Sequence, residues 1–169
     1  VVGLANVAGS TIFKVPQIRK ILNNTTVEGI SAISYYTEIF MYVNTASYSM
    51  HLQLPFSVYG EALIILVQNW FITFLIWNFD KNIGTVQKGL FILVGNAFMY
   101  VMFVPGYVPE EVWPFVSSSV IVLNAMSRLP QIYSNFSNQS TGQLAFVTFM
   151  LGFVGSAARL ATVFHESED

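Results

Sequence analysis

Residues 14–18 are Lys-Val-Pro-Gln-Ile, and residues 128–132 are Arg-Leu-Pro-Gln-Ile. In both copies a basic and an apolar residue precede Pro-Gln near the end of an apolar stretch. A glycine follows some distance later in each copy, at Gly29 and at Gly142. A phrase that recurs in this way predicts a duplicated helical unit. The repeat divides the chain into two similar halves, an arrangement that is common in membrane transporters.

The amino-acid composition is that of a membrane protein. Hydrophobic residues make up 54% of the 169 residues, charged residues only 9%, and the mean hydropathy is +0.58. A typical soluble domain has about 25% charged residues, so this chain has too few to cover a soluble surface. The net charge of −2 provides no basic patch, and we expect no nucleic-acid partner. Because the chain has no cysteine, it has no disulfide framework and no thiolate metal site.

Six apolar stretches are long enough to cross a membrane. A hydrocarbon core about 30 Å thick requires roughly 20 apolar residues per helix. Turn-forming Asn, Gly and Pro residues separate the stretches. Four spans lead from the first repeat copy to the second, so the copies should enter the membrane in the same direction. The predicted spans are residues 1–22, 31–53, 56–79, 88–104, 111–134 and 143–164.

The basic residues predict the orientation of these spans. Six of the seven Lys and Arg residues lie at the loops after the first, third and fifth spans, or at the helix ends beside them. Cytoplasmic loops carry an excess of Lys and Arg. Both Pro-Gln copies should therefore face the cytosol, or the matrix or stroma of an organelle. The six residues are Lys14, Arg19, Lys20, Lys81, Lys88 and Arg128.

The repeated Pro-Gln pairs are candidate hinges. Each proline lacks an N–H and should free a carbonyl four residues earlier, at Ile12 or Met126, and kink its helix. In lipid a freed carbonyl needs another donor, which the neighbouring glutamine can supply. The alternative interpretation is a static bend that helps the helices to pack. The hinge residues are Pro16, Gln17, Pro130 and Gln131.

A second group of residues could line a substrate cavity. Carboxylates inside a membrane are costly and usually functional. Glu38, about two turns into the second span, and Glu61, in the third span, are each either a proton-linked or polar-headgroup site or a carboxylate that is interfacial or bonded to hydroxyls. For Glu61, near a helix end, the second interpretation is favoured. An amide beside an aromatic ring can bind a sugar, whereas the alternative for any single amide is a bond between helices worth about 0.6–2 kcal/mol. The cavity candidates are Glu38, Asn69, Trp70 and Asn124.

No arrangement of residues points to catalysis. The two histidines, His51 and His165, are far apart in the sequence, and no histidine pair has metal-ligand spacing. A glycine-rich loop that could hold a phosphate is also missing from the sequence. We therefore expect no enzyme activity, no metal and no cofactor.

The Pro-Gln phrases resemble the PQ-loop repeat family, which includes sugar carriers and lysosomal amino-acid exporters. Three segments narrow the resemblance to proteins of the mannose-phosphate-dolichol utilization defect type and their plant and algal homologues. These segments are residues 3–38, the Tyr-Gly-Glu-Ala-Leu phrase at 59–63, and the stretch 140–160. The resemblance covers essentially the whole chain.

The resemblance implies an all-α, polytopic membrane protein with a 3+1+3 arrangement of helices. Residues 1–80 would form the first three-helix repeat, residues 81–110 the linker helix with its loops, and residues 111–169 an incomplete second repeat of two helices. On this expectation six helices are present and the seventh is missing. A closed transport path would need that seventh helix.

The resemblance also implies a function. It points to utilisation, presentation or translocation of a lipid-linked sugar of the dolichol-phosphate-mannose type in the endoplasmic reticulum. A second hypothesis is a structural subunit of a large plastid or mitochondrial membrane complex without transport activity, and a third is a small-solute carrier. The expected partners are membrane lipids, with a lipid-linked sugar under the first hypothesis and partner membrane subunits or pigments under the second.

Overall fold

The computed structural model describes the backbone of residues 2–27 and 30–137, and the side chains of residues 7–27 and 30–126. The chain divides into two compact units, residues 1–128 and 129–169, and the packing described below is that of the first unit. The described backbone consists of helices joined by turns and contains no strand, in agreement with the predicted all-α fold. The sixth predicted span, residues 143–164, lies outside the described residues.

Five predicted spans correspond to six described helices. The turns between the spans form at or beside the predicted Asn, Pro and Gly residues, and a short 3-10 turn, Glu110–Val112, precedes the last described helix. The third span is confirmed from its first residue to its last, since the helix runs from Phe56 to Phe79. Pro55 directly precedes it. The helices are α1 (Val2–Phe13), α2 (Val15–Asn24), α3 (Ala32–His51), α4 (Phe56–Phe79), α5 (Thr85–Phe103) and α6 (Trp113–Ser137).

Helix α5 begins at Thr85, three residues earlier than the sequence predicts. The prediction began this span at Lys88. In the structure Lys88 lies inside the helix, and its Nζ donates a hydrogen bond to the Trp77 carbonyl at 2.6 Å. A lysine stem can lie along apolar surface while its ammonium group reaches a polar atom. The Gln87 side chain also accepts a bond from the Gly84 N–H at 3.3 Å, which helps to start the helix.

The two Pro-Gln copies differ in backbone structure. The first predicted span is divided at Lys14 into α1 and α2, and Pro16 occupies the first turn of α2. A proline is well tolerated at that position because the N–H it lacks would have no partner within the helix. Helix α6, in contrast, is continuous through residues 130 and 131 to Ser137. The chain is therefore interrupted at the first copy and remains helical at the second.

Helix α4 is the centre of the first bundle. It packs against α3 on one side and α1 on the other, and α5 packs against α3. One apolar cluster joins α3 and α4 to the ends of α5 and α6, and a second joins α2 to the carboxyl end of α4. The buried members of the two clusters are Ile39, Val43, Leu66, Met102, Trp113 and Val116, and Ile21, Ile72, Leu75 and Ile76.

Among the described helices, α4 and α5 are long and apolar enough to cross a membrane by length and composition alone. The break at Lys14 leaves α1 with 12 residues and α2 with 10, so neither piece reaches that length by itself. Helix α3 has 20 residues but carries Glu38, Asn44 and several hydroxyl side chains. Polar residues on a membrane helix usually face the interior of a bundle, and Asn44 is buried in this one.

Candidate functional site

The break between α1 and α2 is closed by the side chain of Gln68 from α4. In a continuous helix the Lys14 N–H would donate to the Ser10 carbonyl. Here it donates to Gln68 Oε1 at 3.3 Å. Gln68 Nε2 in turn donates to the carbonyls of Ser10 and Thr11, at 3.0 and 2.8 Å. One side-chain amide thus bonds three backbone groups at the break.

Lys14, the residue at the break, forms an ion pair with Glu38 of α3. Its Nζ lies 2.7 Å from Glu38 Oε2, and the two side chains are only 12% and 20% exposed. The ammonium group also lies 5.0 Å from the centre of the Tyr35 ring, within the range of a cation–π contact. The pair therefore connects the break in α1–α2 to α3.

Asn69 of α4 is the third member of this site. Its Nδ2 donates to Glu38 Oε2 at 3.0 Å, and the residue is fully buried. Its Oδ1 and the hydroxyl of Thr73, one turn further along α4, are buried without a hydrogen-bond partner among the described residues. Buried polar groups are normally bonded to protein or water. The site therefore contains unused hydrogen-bonding capacity next to two opposite charges.

This arrangement has two chemical properties. An ion pair removed from water is worth little to stability when it is intact, but loss of one partner leaves an uncompensated charge. The Lys14–Glu38 pair therefore favours the arrangement in which the break and α3 stay together. When the two charges separate, an ammonium group becomes able to bind an anion, and the Glu38 carboxylate becomes able to accept bonds from hydroxyls.

Trp70 does not join this site. Neighbouring residues of a helix point about 100° apart, and Trp70 packs between α4 and α5 while Asn69 faces Glu38. The Trp70 ring lies against Gly95 and Phe91 of α5, with ring centres of Trp70 and Phe91 5.5 Å apart. The structure thus brings Glu38 and Asn69 together but places Trp70 in a different interface.

The other predicted site residues lie at separate positions. Pro16 is exposed and Gln17 half-buried in the first turn of α2, and Asn124 lies on an exposed part of α6. Pro130 and Gln131 belong to α6, but their side chains lie outside the described residues. Gln17 was predicted to donate to the carbonyl of Ile12, whereas the amide that bonds at this break is that of Gln68, and it donates to the carbonyls of Ser10 and Thr11.

Sequence reasoning missed Lys14 and Gln68 as members of the site. Lys14 was assigned to the repeated phrase and to the residues that orient the chain, and Gln68 was not among the cavity candidates. A signal was present in both cases, since Lys14 belongs to the repeated phrase and Gln68 directly precedes Asn69. The interpretation of buried amides as bonds between helices holds for Asn44, whose Nδ2 donates to Ser119 Oγ of α6 at 2.8 Å.

A metal ion has no evident place in the described part of the chain. Residues 7–27 and 30–126 contain no group of three or more His, Asp or Glu side chains close enough to share an ion. The charged atoms of the site are instead one ammonium and one carboxylate group.

Comparison with protein families gives a match. The family described as the PQ loop repeat matches residues 1–58 and, a second time, residues 112–169. Together the two matches cover more than half of the chain, and each contains one copy of the Pro-Gln phrase. No solved structure matches the chain.

Proposed function

The chain belongs to the PQ-loop repeat family, and from that membership we propose that it is a membrane carrier that presents or translocates a lipid-linked sugar of the dolichol-phosphate-mannose type. The observation that carries the proposal is the ion pair between Lys14, at the break between α1 and α2, and Glu38 of α3. The choice of substrate rests on the resemblance of residues 3–38, 59–63 and 140–160 to the dolichol-phosphate-mannose utilization proteins. The same resemblance favours the endoplasmic reticulum as its location.

The broken helix supports a carrier because transport requires a part of the protein that can change its arrangement. Broken helices with polar groups at mid-membrane are a recurring feature of transporter sites. The described hydrogen bonds from α3 and α4 to the break come from side chains, namely those of Gln68 and Glu38, and Asn69 bonds to Glu38. Side-chain contacts can exchange partners without unfolding a helix, so the break can open as a hinge.

The chemistry of the site suits a sugar phosphate. A phosphodiester is anionic and would attract the Lys14 ammonium group away from Glu38. The freed carboxylate, together with the unbonded Asn69 Oδ1, would accept hydrogen bonds from sugar hydroxyls. We propose no covalent step, so the protein acts on the position of its substrate and not on its bonds.

A vesicle experiment tests this function. The purified chain is reconstituted into liposomes with a short-chain polyprenyl phosphomannose, and passage of the mannose across the bilayer is followed by its accessibility to an impermeant oxidant. We expect the wild-type protein to accelerate passage and the Glu38→Gln variant to lose this activity. The matched control is Glu61→Gln, which removes a carboxylate at a half-buried position near the start of α4.

The two variants separate the possible results. Equal passage in protein-containing and empty vesicles would refute the carrier function for this substrate class. Passage that is fast with wild type and equally fast with Glu38→Gln would leave a carrier but refute the role of the ion pair. Loss of passage in Glu61→Gln as well would indicate general damage by removal of a carboxylate.

A second candidate, the accessory subunit of a membrane complex, is favoured by the outer face of α5. Val86, Leu90, Leu93 and Tyr100 are exposed on this helix, and Asn96 is exposed among them. The Asn96 amide bonds only to the Ile92 carbonyl of its own helix among the bonds described. An amide in the middle of an apolar face is typical of contacts between membrane helices. Purification from native membranes tests this candidate, because a subunit co-purifies with partners in fixed stoichiometry and a carrier does not.

A further inference from the structure

A second cavity lies far from the Lys14–Glu38 pair. It occupies about 330 Å³ between the carboxyl ends of α3 and α5 and the start of α6. His51, the last residue of α3, lines it and lies 13 residues after Glu38. At 1.5 Å per residue, this distance along α3 is about 20 Å. The cavity is therefore separate from the proposed hinge site.

The floor and the rim of this cavity differ in polarity. The floor is formed by buried side chains, among them Met102 and Trp113. Methionine and aromatic side chains adapt well to apolar ligands of different shapes. The rim carries the exposed residues Gln53 and Glu110 and the backbone of Gly106. A ligand with an apolar body and a polar group would match both parts.

The charge at the rim of the cavity determines which polar group of a ligand would be favoured there. The Glu110 carboxylate is 82% exposed, and its side-chain partner among the described residues is His51, whose Nε2 lies 3.2 Å from Glu110 Oε2. The His51 ring is stacked on Trp113, with ring centres 4.2 Å apart. Glu111 follows next in the sequence without lining the cavity. The Glu110 carboxylate is the only acidic group that lines the cavity among the described residues, and it makes the rim attractive to cations and unfavourable to anions.

We propose that this cavity binds a small organic ammonium compound. The apolar body lies on the floor near Met102 and Trp113, and the ammonium group takes the place of the His51 ring beside Glu110. The face of the Trp113 ring next to the carboxylate adds attraction for the cation. This inference is independent of the carrier function, because the cavity shares no residue with the hinge site.

The test measures binding of benzyltrimethylammonium to the purified full chain by titration calorimetry. Neopentylbenzene, its neutral counterpart of the same shape, and phenylacetate, an anion, are the comparison ligands. We expect the cation to bind more tightly than the neutral compound and the anion not to bind. Changing Glu110→Gln should weaken binding of the cation about fivefold, which equals about 1 kcal/mol, the upper range for an exposed ion pair.

Two further variants make the result decisive. Glu111→Gln removes the adjacent carboxylate and should leave binding of the cation unchanged. His51→Phe keeps a ring against Trp113 but removes the competitor for Glu110, so it should tighten binding of the cation. Equal weakening by Glu110→Gln and Glu111→Gln would overturn the proposal, since general surface charge would then explain it. Equal binding of the cation and the neutral compound, or weaker binding of the cation by His51→Phe, would overturn it as well.

Discussion

The ion pair between Lys14 and Glu38 makes a prediction about stability that depends on both partners together. Lys14→Met leaves the Glu38 carboxylate without its ammonium partner, and Glu38→Gln leaves the ammonium group unpaired. The double variant removes both charges and leaves no uncompensated charge at the site. We expect each single variant to be clearly less stable than wild type, and the double variant to be no worse than either single one.

The structure sets the size of this effect. Loss of one partner of a fully buried pair costs about 3–5 kcal/mol. Here the two side chains are 12% and 20% exposed, and Asn69 still bonds to position 38. We therefore expect about 2–3 kcal/mol for each single variant, below the fully buried range. For a chain of this length this corresponds to a fall in melting temperature of about 5–10 °C.

Thermal denaturation of the four proteins in one mild detergent, followed by size-exclusion chromatography, measures the cycle. The Glu61→Gln variant is the control and should melt within a few degrees of wild type. Residues in direct contact show coupling energies of about 0.5–3 kcal/mol, whereas independent sites add. If the double variant lost the sum of the two single effects, the pair would not act as a unit in the folded protein, and the reasoning would be refuted.

Three other predictions concern packing and topology. Gln68→Leu should destabilise the chain by about 1–3 kcal/mol, because three backbone groups at the break lose their partner; wild-type melting behaviour would contradict this. Gly95→Leu should destabilise by about 1–3 kcal/mol through overpacking, because a Cβ there would already lie 3.2 Å from the Trp70 ring. Gly89→Leu, in the open space of the same helix, should be close to neutral, and equal loss in both variants would refute the packing argument. Single cysteines at Asn24 and Lys81 should react with an impermeant reagent from one side of the membrane, and single cysteines at Gln53 and Glu110 should react from the other side. Labelling of all four positions from one side would refute the orientation.

Much of the fold follows from local sequence signals. Proline before α4 and the Asn, Gly and Pro residues between spans predict the turns, because these residues start or end helices through backbone geometry alone. The sequence predicted a kink in the first span at Pro16, and the structure divides this span at Lys14, two residues earlier. The start of α5 at Thr85 was not predicted, and the bond from Lys88 to the Trp77 carbonyl in its first turn is a tertiary contact that the sequence does not show.

The site was predictable only in part. Glu38 and Asn69 were identified because polar groups at membrane depth are costly, and the structure places them 3.0 Å apart. Lys14 and Gln68 were not assigned to it, because their roles depend on α4 lying between α1 and α3. Sequence periodicity cannot determine that order of helices. Trp70 was placed beside Asn69 by sequence proximity, yet the turn of the helix directs it toward α5.

The most direct test of the carrier account is an exchange of the two charges in the liposome assay. Lys14→Glu alone places two carboxylates together, and Glu38→Lys alone places two ammonium groups together. Both single variants should reduce passage of the polyprenyl phosphomannose to the level of empty vesicles. The double variant restores an ion pair in reversed order and should recover passage above either single variant. A folded double variant that stays as inactive as the singles, or single variants that transport like wild type, would contradict the account.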